Sequence, residues 1–220
     1  MGRDLFNLGA LTRAAAASLI VLAALSPRTV LAQGGPNAGS DAFVPVEEYA
    51  RKVEEFKKTA PDLGKKIEDG TKLIESLDDV AKARSEIEQL RGTVADLLGR
   101  VADNGELGRL GAKALEHSRK KLQALEQDTR FKPEESKFLI DQWRELIRQT
   151  ERAADDLDKA RREFAELLRT LQTREDFIDE LLQIKRAAEA IQVMRQLTGE
   201  IRDASEKLKA LIGGIKPPGV

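Results

Sequence analysis

The sequence predicts an all-α protein, an elongated antiparallel helical bundle or coiled coil of long helices. Helix formers dominate the composition, and aromatic residues make up only 4% of the 220 residues. No alternating run of β-branched residues reaches strand length after residue 32. A regular apolar seam runs from Leu139 to Leu171. Together these observations favour helices packed on helices over any sheet.

The seam has steps that alternate between four and three residues without a slip. Such a 3.5-residue repeat makes helices wind around each other with a left-handed twist and cross at about 20°. Several seam positions hold Ala or Thr, so we expect a thin, mixed core. Its members are Leu139, Trp143, Leu146, Thr150, Ala153, Leu157, Ala160, Phe164, Leu167 and Leu171.

Residues 1–32 have the pattern of a cleavable export signal. Arg3 and Arg13 precede a mostly apolar run from Ala14 to Leu25, which is shorter than the roughly 20 residues of a membrane-spanning helix. Small residues then precede a predicted cleavage after Ala32, and no twin arginine is present, which favours the general secretory (Sec-type) route. We therefore expect a periplasmic or extracellular protein. An uncleaved, membrane-anchoring N-terminus is the alternative.

The remainder divides into a flexible mature N-terminus (33–44), a helical bundle domain (45–213) and a C-terminal tail (214–220). Pro45 suits a first helical turn, Pro61 interrupts the helix, and "DNGELG" predicts a turn because Asn-Gly readily takes positive φ. The predicted helices are about 45–59, 61–102, 107–130, 133–171 and 174–212.

The break between the last two helices rests on length, because no Gly or Pro marks it. Thr173 with Asp176 gives a weak capping pattern. A break near Leu171 leaves three helices of matching length, as antiparallel neighbours require. An unbroken helix, the alternative, leaves much of its seam without a partner.

Composition excludes several classes of function. The absence of cysteine removes disulfides, thiolate catalysis, iron–sulfur clusters and zinc fingers. A formal net charge of −1 is too balanced for electrostatic capture of nucleic acid, and it makes membrane-surface binding weak. The single histidine also excludes the Glu-x-x-His di-iron pattern and the zinc hydrolase motifs.

Three features of the sequence resemble functional sites, and each has a simpler structural interpretation. His117 and Met194 are the residue types of a haem axial pair, but we expect a solvated histidine and a core methionine. The acidic doublets at 78–79 and 155–156 are typical of solvated helix faces. The basic clusters at 117–121 and 159–162 have acidic neighbours that screen them. No catalytic, cofactor-binding or metal-ligating residue is predicted.

The pattern therefore favours a non-enzymatic exported bundle that acts through protein–protein contacts. Scaffolds, adaptors, chaperone-like holdases and self-associating coiled coils all fit this description. The alternative is a bundle that binds a small ligand, a lipid or a membrane surface. Thin core layers around Thr150, Ala153, Ala160 and Thr198 leave room for such a ligand.

Overall fold

The computed structural model describes residues 43–76, 79–128 and 133–219. The predicted signal peptide and residues 33–42 of the predicted flexible segment lie outside this range. Every regular element within it is an α-helix, so the all-α class is confirmed for the described residues. The helices are α1 (Val44–Lys57), α2 (Thr59–Ser76), α3 (Val80–Val101), α4 (Glu106–Gln127), α5 (Pro133–Gln183) and α6 (Ala187–Gly214).

The longest helix, α5, passes through the point where the sequence predicted a break. The predicted end near Leu171 is wrong, because α5 ends only at Gln183. The whole helix has 51 residues and is about 75 Å long at ~1.5 Å per residue. The seam explains this: beyond Leu171 it continues at the same four-three steps through Glu175 and Ile178, which are both buried. Because the buried positions continue at the same spacing beyond Leu171, the helix remains packed on its neighbours there and does not end.

The turn that does end α5 lies at residues 184–186 and contains no glycine. Lys185 takes a left-handed conformation with φ of 63°. The Lys185 N–H donates to the Leu182 carbonyl at 3.0 Å, and the Arg186 N–H donates to the Leu181 carbonyl at 2.8 Å. This is the Schellman pattern, in which the left-handed position is usually glycine. Because a lysine occupies it, the sequence carries no visible stop signal.

The predicted helix 61–102 is also wrong, because α2 and α3 are separate. The Asp79 side chain caps α3 by accepting hydrogen bonds from the backbone N–H groups of Ala81, at 2.9 Å, and Lys82, at 3.4 Å. For Asp79, the interpretation as part of a solvated helix face was therefore incorrect. Helices α2 and α3 pack closely: a Cβ added at Gly70 would lie 3.1 Å from Leu90 Cδ1.

Helix α1 leads into α2 with a break at a single residue, Lys58. Pro61 falls in the first turn of α2, where its missing N–H breaks no hydrogen bond. The Thr59 hydroxyl donates to the Phe56 carbonyl at 2.6 Å. The two helices therefore form one interrupted segment.

The connection between α3 and α4 is the predicted turn, but its glycines serve a different purpose. Neither Gly105 nor Gly108 has positive φ. A Cβ at Gly105 would lie 2.2 Å from the Gly99 carbonyl oxygen, and one at Gly108 would lie 2.4 Å from that of Ala102. Close packing of backbone on backbone, rather than a left-handed conformation, explains these two glycines.

Helices α3 and α4 follow one another along α5, and both run antiparallel to it. Arg84 near the start of α3 pairs with Asp179 near the end of α5, at 2.7 Å. Arg119 in α4 pairs with Glu151 in the first half of α5, at 2.8 Å. The turn between α3 and α4 thus bends the chain without reversing it.

The packing divides the described fold into two halves along α5. The four-helix half contains α2, α3, α6 and the C-terminal part of α5, whereas the three-helix half contains α1, α4 and the N-terminal part of α5. The breaks at Lys58 and at residues 102–105 fall at one level, since Arg100 lies over the Phe56 ring at 5.6 Å. Arg161 marks the same level on α5, 3.9 Å from Asp103.

The C-terminal tail completes the three-helix half. Ile215, Pro217 and Pro218 are buried, and the Gly219 N–H donates to Gln149 Oε1 at 2.9 Å. Residues 215–217 lie outside any helix, and residues 218 and 219 form a turn. The tail thus follows the end of α6 and packs on the three-helix half.

Candidate binding cavity

A cavity of about 280 Å³ lies between α1, α4 and α5, beside the turn that joins α3 to α4. Its inner wall is apolar or made of very small residues, and its outer edge is charged. The apolar and small residues are Tyr49, Val101, Leu107, Gly108, Gly111, Ala112, Leu115, Ala154 and Leu157, and the charged ones are Asp103, Asp158 and Arg161.

Tyr49 is the one residue lining the cavity that has a hydroxyl group, and that group itself has no surface open to the cavity. The residue is fully buried, and Tyr49 Oη has no hydrogen-bond partner among the described residues. Burial raises the pKa of this phenol well above its ordinary value. The hydroxyl therefore stays protonated and is able both to donate and to accept a hydrogen bond.

Gly111 allows Tyr49 to reach its position. A Cβ added at Gly111 would lie 3.2 Å from Tyr49 Cε2 and Cζ and 3.4 Å from Tyr49 Oη. The phenol ring thus lies directly on the backbone of α4. The small residues around it leave the space that forms the cavity.

The mouth of the cavity carries two carboxylates and one guanidinium. Arg161 Nε donates to Asp158 Oδ1 at 2.9 Å, and Asp103 lies at the outer edge with its side chain 90% exposed. The hydrogen bond from Arg161 holds the pKa of the Asp158 carboxyl below its usual range, and the same bond raises the pKa of Arg161. Arg162, next to the mouth, also donates to Asp158 Oδ2, so two guanidiniums offset the two carboxylates.

The far end of the three-helix half is aromatic. The Phe43 and Trp143 rings stack with their centroids 4.7 Å apart, and His117 lies 6.4 Å from the Trp143 ring. Ser118 in α4 is fully buried, and its hydroxyl, like that of Tyr49, has no hydrogen-bond partner among the described residues. Two unpaired hydroxyls thus lie in the same half of the fold.

Two further grooves are lined mainly by charged side chains. One, of about 570 Å³, lies between α5 and α6 and contains the ion pair of Arg174 with Glu200. The other, of about 340 Å³, lies between α2 and α6, where Lys209 crosses over Gly64. Their charged groups already pair with each other or face solvent, so neither groove indicates a ligand.

The structure separates the two residues of the haem hypothesis. His117 is half-buried at the level of Glu151 on α5, because its neighbour Arg119 pairs with that residue. Met194 is buried in α6, close to the turn that follows α5. The two levels differ by about 40 Å along α5 at ~1.5 Å per residue. One haem group cannot bridge that distance.

The basic clusters pair with acidic groups, as expected. Lys120 binds Glu116 at 2.6 Å, and Arg162 binds Asp158. Lys159 binds Asp156 at 2.7 Å.

Residues 43–76, 79–128 and 133–219 contain no group of three or more potential ligands that could hold a metal ion. Among the same residues, no helix combines the length and the apolar character that crossing a bilayer requires.

The cavity was not predicted from the sequence, although the spacing of apolar residues in α1 indicates that Tyr49 is buried. Val46, Tyr49, Val53 and Phe56 are spaced by three, four and three residues, and all four are buried. This short seam places the only tyrosine of the chain on the core face of α1. The unpaired state of its hydroxyl depends on the opposite helix, so the sequence could not reveal it.

Comparison of the chain with family models, curated proteins and solved structures finds no match. Function must therefore be argued from the geometry of the cavity and the surfaces around it.

Proposed function

We propose that this chain is a non-enzymatic, exported helical-bundle protein that binds a small molecule in the cavity beside Tyr49. The cavity joins a mostly apolar wall to a single hydroxyl and a charged mouth, which is the usual character of ligand pockets. Its volume is near the lower end of the range for such pockets, about 300–1,000 Å³. We assign no catalytic role to any residue.

The unpaired hydroxyl of Tyr49 is the observation that supports this proposal most strongly. A buried polar group without a partner destabilises a fold by about 1–3 kcal/mol, and such groups are rare in native proteins. Phenylalanine would fill the same space beside Gly111 without that penalty. Because this hydroxyl has no surface open to the cavity, a ligand would reach it only after a local shift of the side chains around it.

A single bound water is the simpler alternative, but the wall offers it little. A buried water typically makes about three hydrogen bonds to polar groups. Tyr49 Oη lies against Gly111, where an added Cβ would be 3.4 Å away, and the surface around it is too closed to admit a water molecule. A ligand with an apolar body needs only the one polar contact.

The test is a thermal-shift screen of metabolites on the purified mature protein and on two variants. Ala154→Leu fills the cavity from α5, whereas Ala165→Leu adds the same atoms at an exposed position of the same helix. A true ligand raises the melting temperature in proportion to its occupancy. We expect this shift in the parent protein and in Ala165→Leu, and its loss in Ala154→Leu.

A ligand that shifts Ala154→Leu as much as the parent protein binds elsewhere and contradicts the assignment. A screen in which no compound shifts the parent protein, together with a stabilised Tyr49→Phe variant, contradicts ligand binding altogether. That second result identifies the hydroxyl as a group that is merely hydrated.

The proposed location beyond the inner membrane rests on the leader-like pattern of residues 1–32. Expression of the full chain in a bacterial host, followed by cell fractionation and N-terminal sequencing, tests it. We expect the mature protein outside the cytoplasm with Gln33 as its first residue. A cytoplasmic protein that retains Arg3 and Arg13 contradicts the proposal.

Protein–protein contact, specifically self-association, is the second candidate. Phe177 on α5 and Ile184 in the turn that follows α5 are exposed at 44% and 61%, at the same end of the fold. A two-fold axis would place these apolar side chains against the same patch of a second copy. Sedimentation of the parent protein and of the Phe177→Ser/Ile184→Ser double variant tests it. A concentration-dependent dimer that the double variant loses supports self-association; a parent protein that stays monomeric excludes it.

A further inference from the structure

The three-helix half lacks a helix in the position that α6 occupies in the four-helix half. There, α6 packs on both α2 and α5. Helix α1 leads directly into α2, so the line of α6 continues between α1 and α5. Lys207 of α6 lies 4.0 Å from Glu163 of α5, and α6 ends about two turns later at Gly214. Because α1 packs mainly on α4, a groove between α1 and α5 extends beyond this end.

The C-terminal tail fills this groove. Ile215, Pro217 and Pro218 are buried, although they belong to no helix. The last described residue, Gly219, lies beside α5, since a Cβ added to it would be 3.8 Å from Leu146 Cδ1. A short irregular segment with three buried apolar residues therefore takes the place of a fourth helix.

One oriented acceptor holds the end of the tail. The Gly219 N–H donates to Gln149 Oε1 at 2.9 Å. Gln149 Nε2 in turn donates to Glu145 Oε1 at 3.2 Å, which fixes the direction of the Gln149 carbonyl. Gly219 has φ of 78°, a left-handed conformation that glycine adopts without strain. The groove thus accepts a segment that ends in a glycine turn.

The sequence of the tail suits docking on a helical surface. Ile215 has extended dihedrals, with φ of −62° and ψ of 127°, and Lys216 is exposed while its two neighbours are buried. Prolines at 217 and 218 have no N–H, so they leave no buried donor without a partner. They also restrict the free segment, which therefore loses little conformational entropy on binding. Proline-rich segments bind grooves of other proteins for the same reasons.

Few polar contacts hold the tail. Among the described residues, the hydrogen bond from Gly219 is the only one that joins residues 216–219 to the helices. Ile215 is buried directly after α6 ends at Gly214, so no linker remains that would let the tail reach a second copy of the chain. A segment of another protein is under no such restriction and is able to enter the groove when the tail leaves it.

We propose that the groove between α1 and α5 is a docking site for a partner protein, and that the C-terminal tail occupies it as an intramolecular competitor. The partner segment carries an apolar residue, one exposed residue, two prolines and a glycine, as residues 215–219 do. A tethered segment competes at an effective concentration in the millimolar range, so it closes the site to weak partners. This inference goes beyond the ligand proposed for the Tyr49 cavity and does not depend on it.

The experiment is isothermal titration calorimetry with the acetylated peptide of residues 215–220 as the probe. It is titrated into the parent mature protein and into a variant that ends at Gly214, after circular dichroism has shown that the variant is folded. We expect the truncated variant to bind the peptide at least about tenfold more tightly, because the tail of the parent protein occupies the groove. A control peptide with Ile215→Asn, Pro217→Gly and Pro218→Gly keeps the charge and should bind at least about tenfold more weakly.

A substitution in α5 identifies where the peptide binds. In the truncated variant, Gln149→Ala removes the acceptor of the Gly219 N–H and should weaken peptide binding about three- to tenfold. Arg148→Ala changes the adjacent side chain, which is 60% exposed and pairs with Glu145, and should leave the affinity unchanged.

Each other outcome overturns the proposal. Equal affinity for the parent and truncated proteins, or an affinity that Gln149→Ala does not lower, means that the peptide binds elsewhere. A folded truncated protein that does not bind the peptide has no docking site. If the truncated protein does not fold, the full-length Ile215→Asn variant replaces it; if that variant also fails to fold, the tail is a part of the core and not a replaceable segment. A negative metabolite screen affects none of these results, so the two proposals fail separately.

Discussion

The two halves of this fold differ in how they treat buried polar groups. In the four-helix half, the Thr71 hydroxyl donates to the Glu68 carbonyl at 2.9 Å, and the Thr198 hydroxyl donates to Glu75 Oε1 at 3.1 Å. In the three-helix half, the buried hydroxyl of Tyr49 finds no partner among the described residues. Among the described residues, the buried hydroxyls that lack a hydrogen-bond partner thus lie in the three-helix half.

The cause of the difference lies in the number of helices around the core. Four helices of similar length enclose one another on every side, and each brings side chains that fill space and pair polar groups. In the three-helix half, three helices and a short tail enclose the core with fewer side chains than the four-helix half has. The resulting cavity beside Tyr49 lies next to the level where α3 gives way to α4. The half with fewer helices thus contains the cavity that we propose as a binding site.

The largest effect should come from truncating the core of the four-helix half. Leu171 is fully buried, so Leu171→Ala should lower the free energy of unfolding by about 3–5 kcal/mol. Leu157 lies on the same helix, is 5% exposed and borders the cavity, so Leu157→Ala should lower it by only about 2 kcal/mol. Urea denaturation measures both. Equal losses would mean that the two halves are equally well packed.

Removal of the tail should weaken one half more than the other. Truncation after Gly214 exposes the sites that Ile215, Pro217 and Pro218 cover, and should destabilise the protein by about 2–4 kcal/mol. Hydrogen exchange followed by mass spectrometry should accelerate in α1 and in the first part of α5. The exposed Lys216→Ala change is the control and should have little effect. Uniform acceleration in α2, α3 and α6 would contradict a local role for the tail.

The buried ion pair of the four-helix half should be worth more than an exposed one. Arg91 Nη1 donates to Glu175 Oε2 at 2.6 Å, and Glu175 is only 7% exposed. Arg91→Ala leaves this carboxylate without its partner and should destabilise the fold by about 2 kcal/mol, below the range for fully buried pairs because Arg91 is partly exposed. Arg84→Ala breaks a nearby exposed pair and should change stability by at most ~0.5 kcal/mol. Similar losses of stability in both variants would mean that the burial of Glu175 does not strengthen its ion pair with Arg91.

The smallest expected effect is a gain in stability at the turn after α5. Lys185 holds a left-handed conformation that disfavours residues with a Cβ. Lys185→Gly should therefore raise the free energy of unfolding by about 0.5–1 kcal/mol, whereas Lys185→Ala retains the strain and should give no gain. Thermal unfolding of the two variants is the measurement. A loss of stability in the glycine variant would mean that the lysine side chain makes a contact worth more than the strain.

The apolar seam of α5 could be predicted from the sequence, because the spacing of apolar residues fixes which face of a helix is buried. Its members from Trp143 to Leu171 are all buried. Boundaries were less accurate where the stop signal was unusual. The turn after α5 contains a lysine, and the start of α3 is capped by an aspartate. Both residue types are also common on exposed helix faces, so neither one marks a helix end in the sequence.

The candidate cavity could not be predicted, because it arises from tertiary contacts. The burial of Tyr49 follows from the spacing within α1, but its unpaired hydroxyl follows from Gly111 on another helix. Glu175 poses the same problem: its position on the seam is visible in the sequence, and its partner on α3 is not. Pattern arguments locate the buried faces, and only the fold tells which residues meet there.

The uninterrupted course of α5 has a mechanical consequence. At the level of Arg161, the chain breaks at Lys58 and at 102–105 leave α5 as the one described helix that continues through both halves. A single helix resists bending far less than four helices side by side. We therefore expect thermal flexing of the rod to concentrate near Ala160, next to the cavity, so that a molecule wedged there would also stiffen the joint.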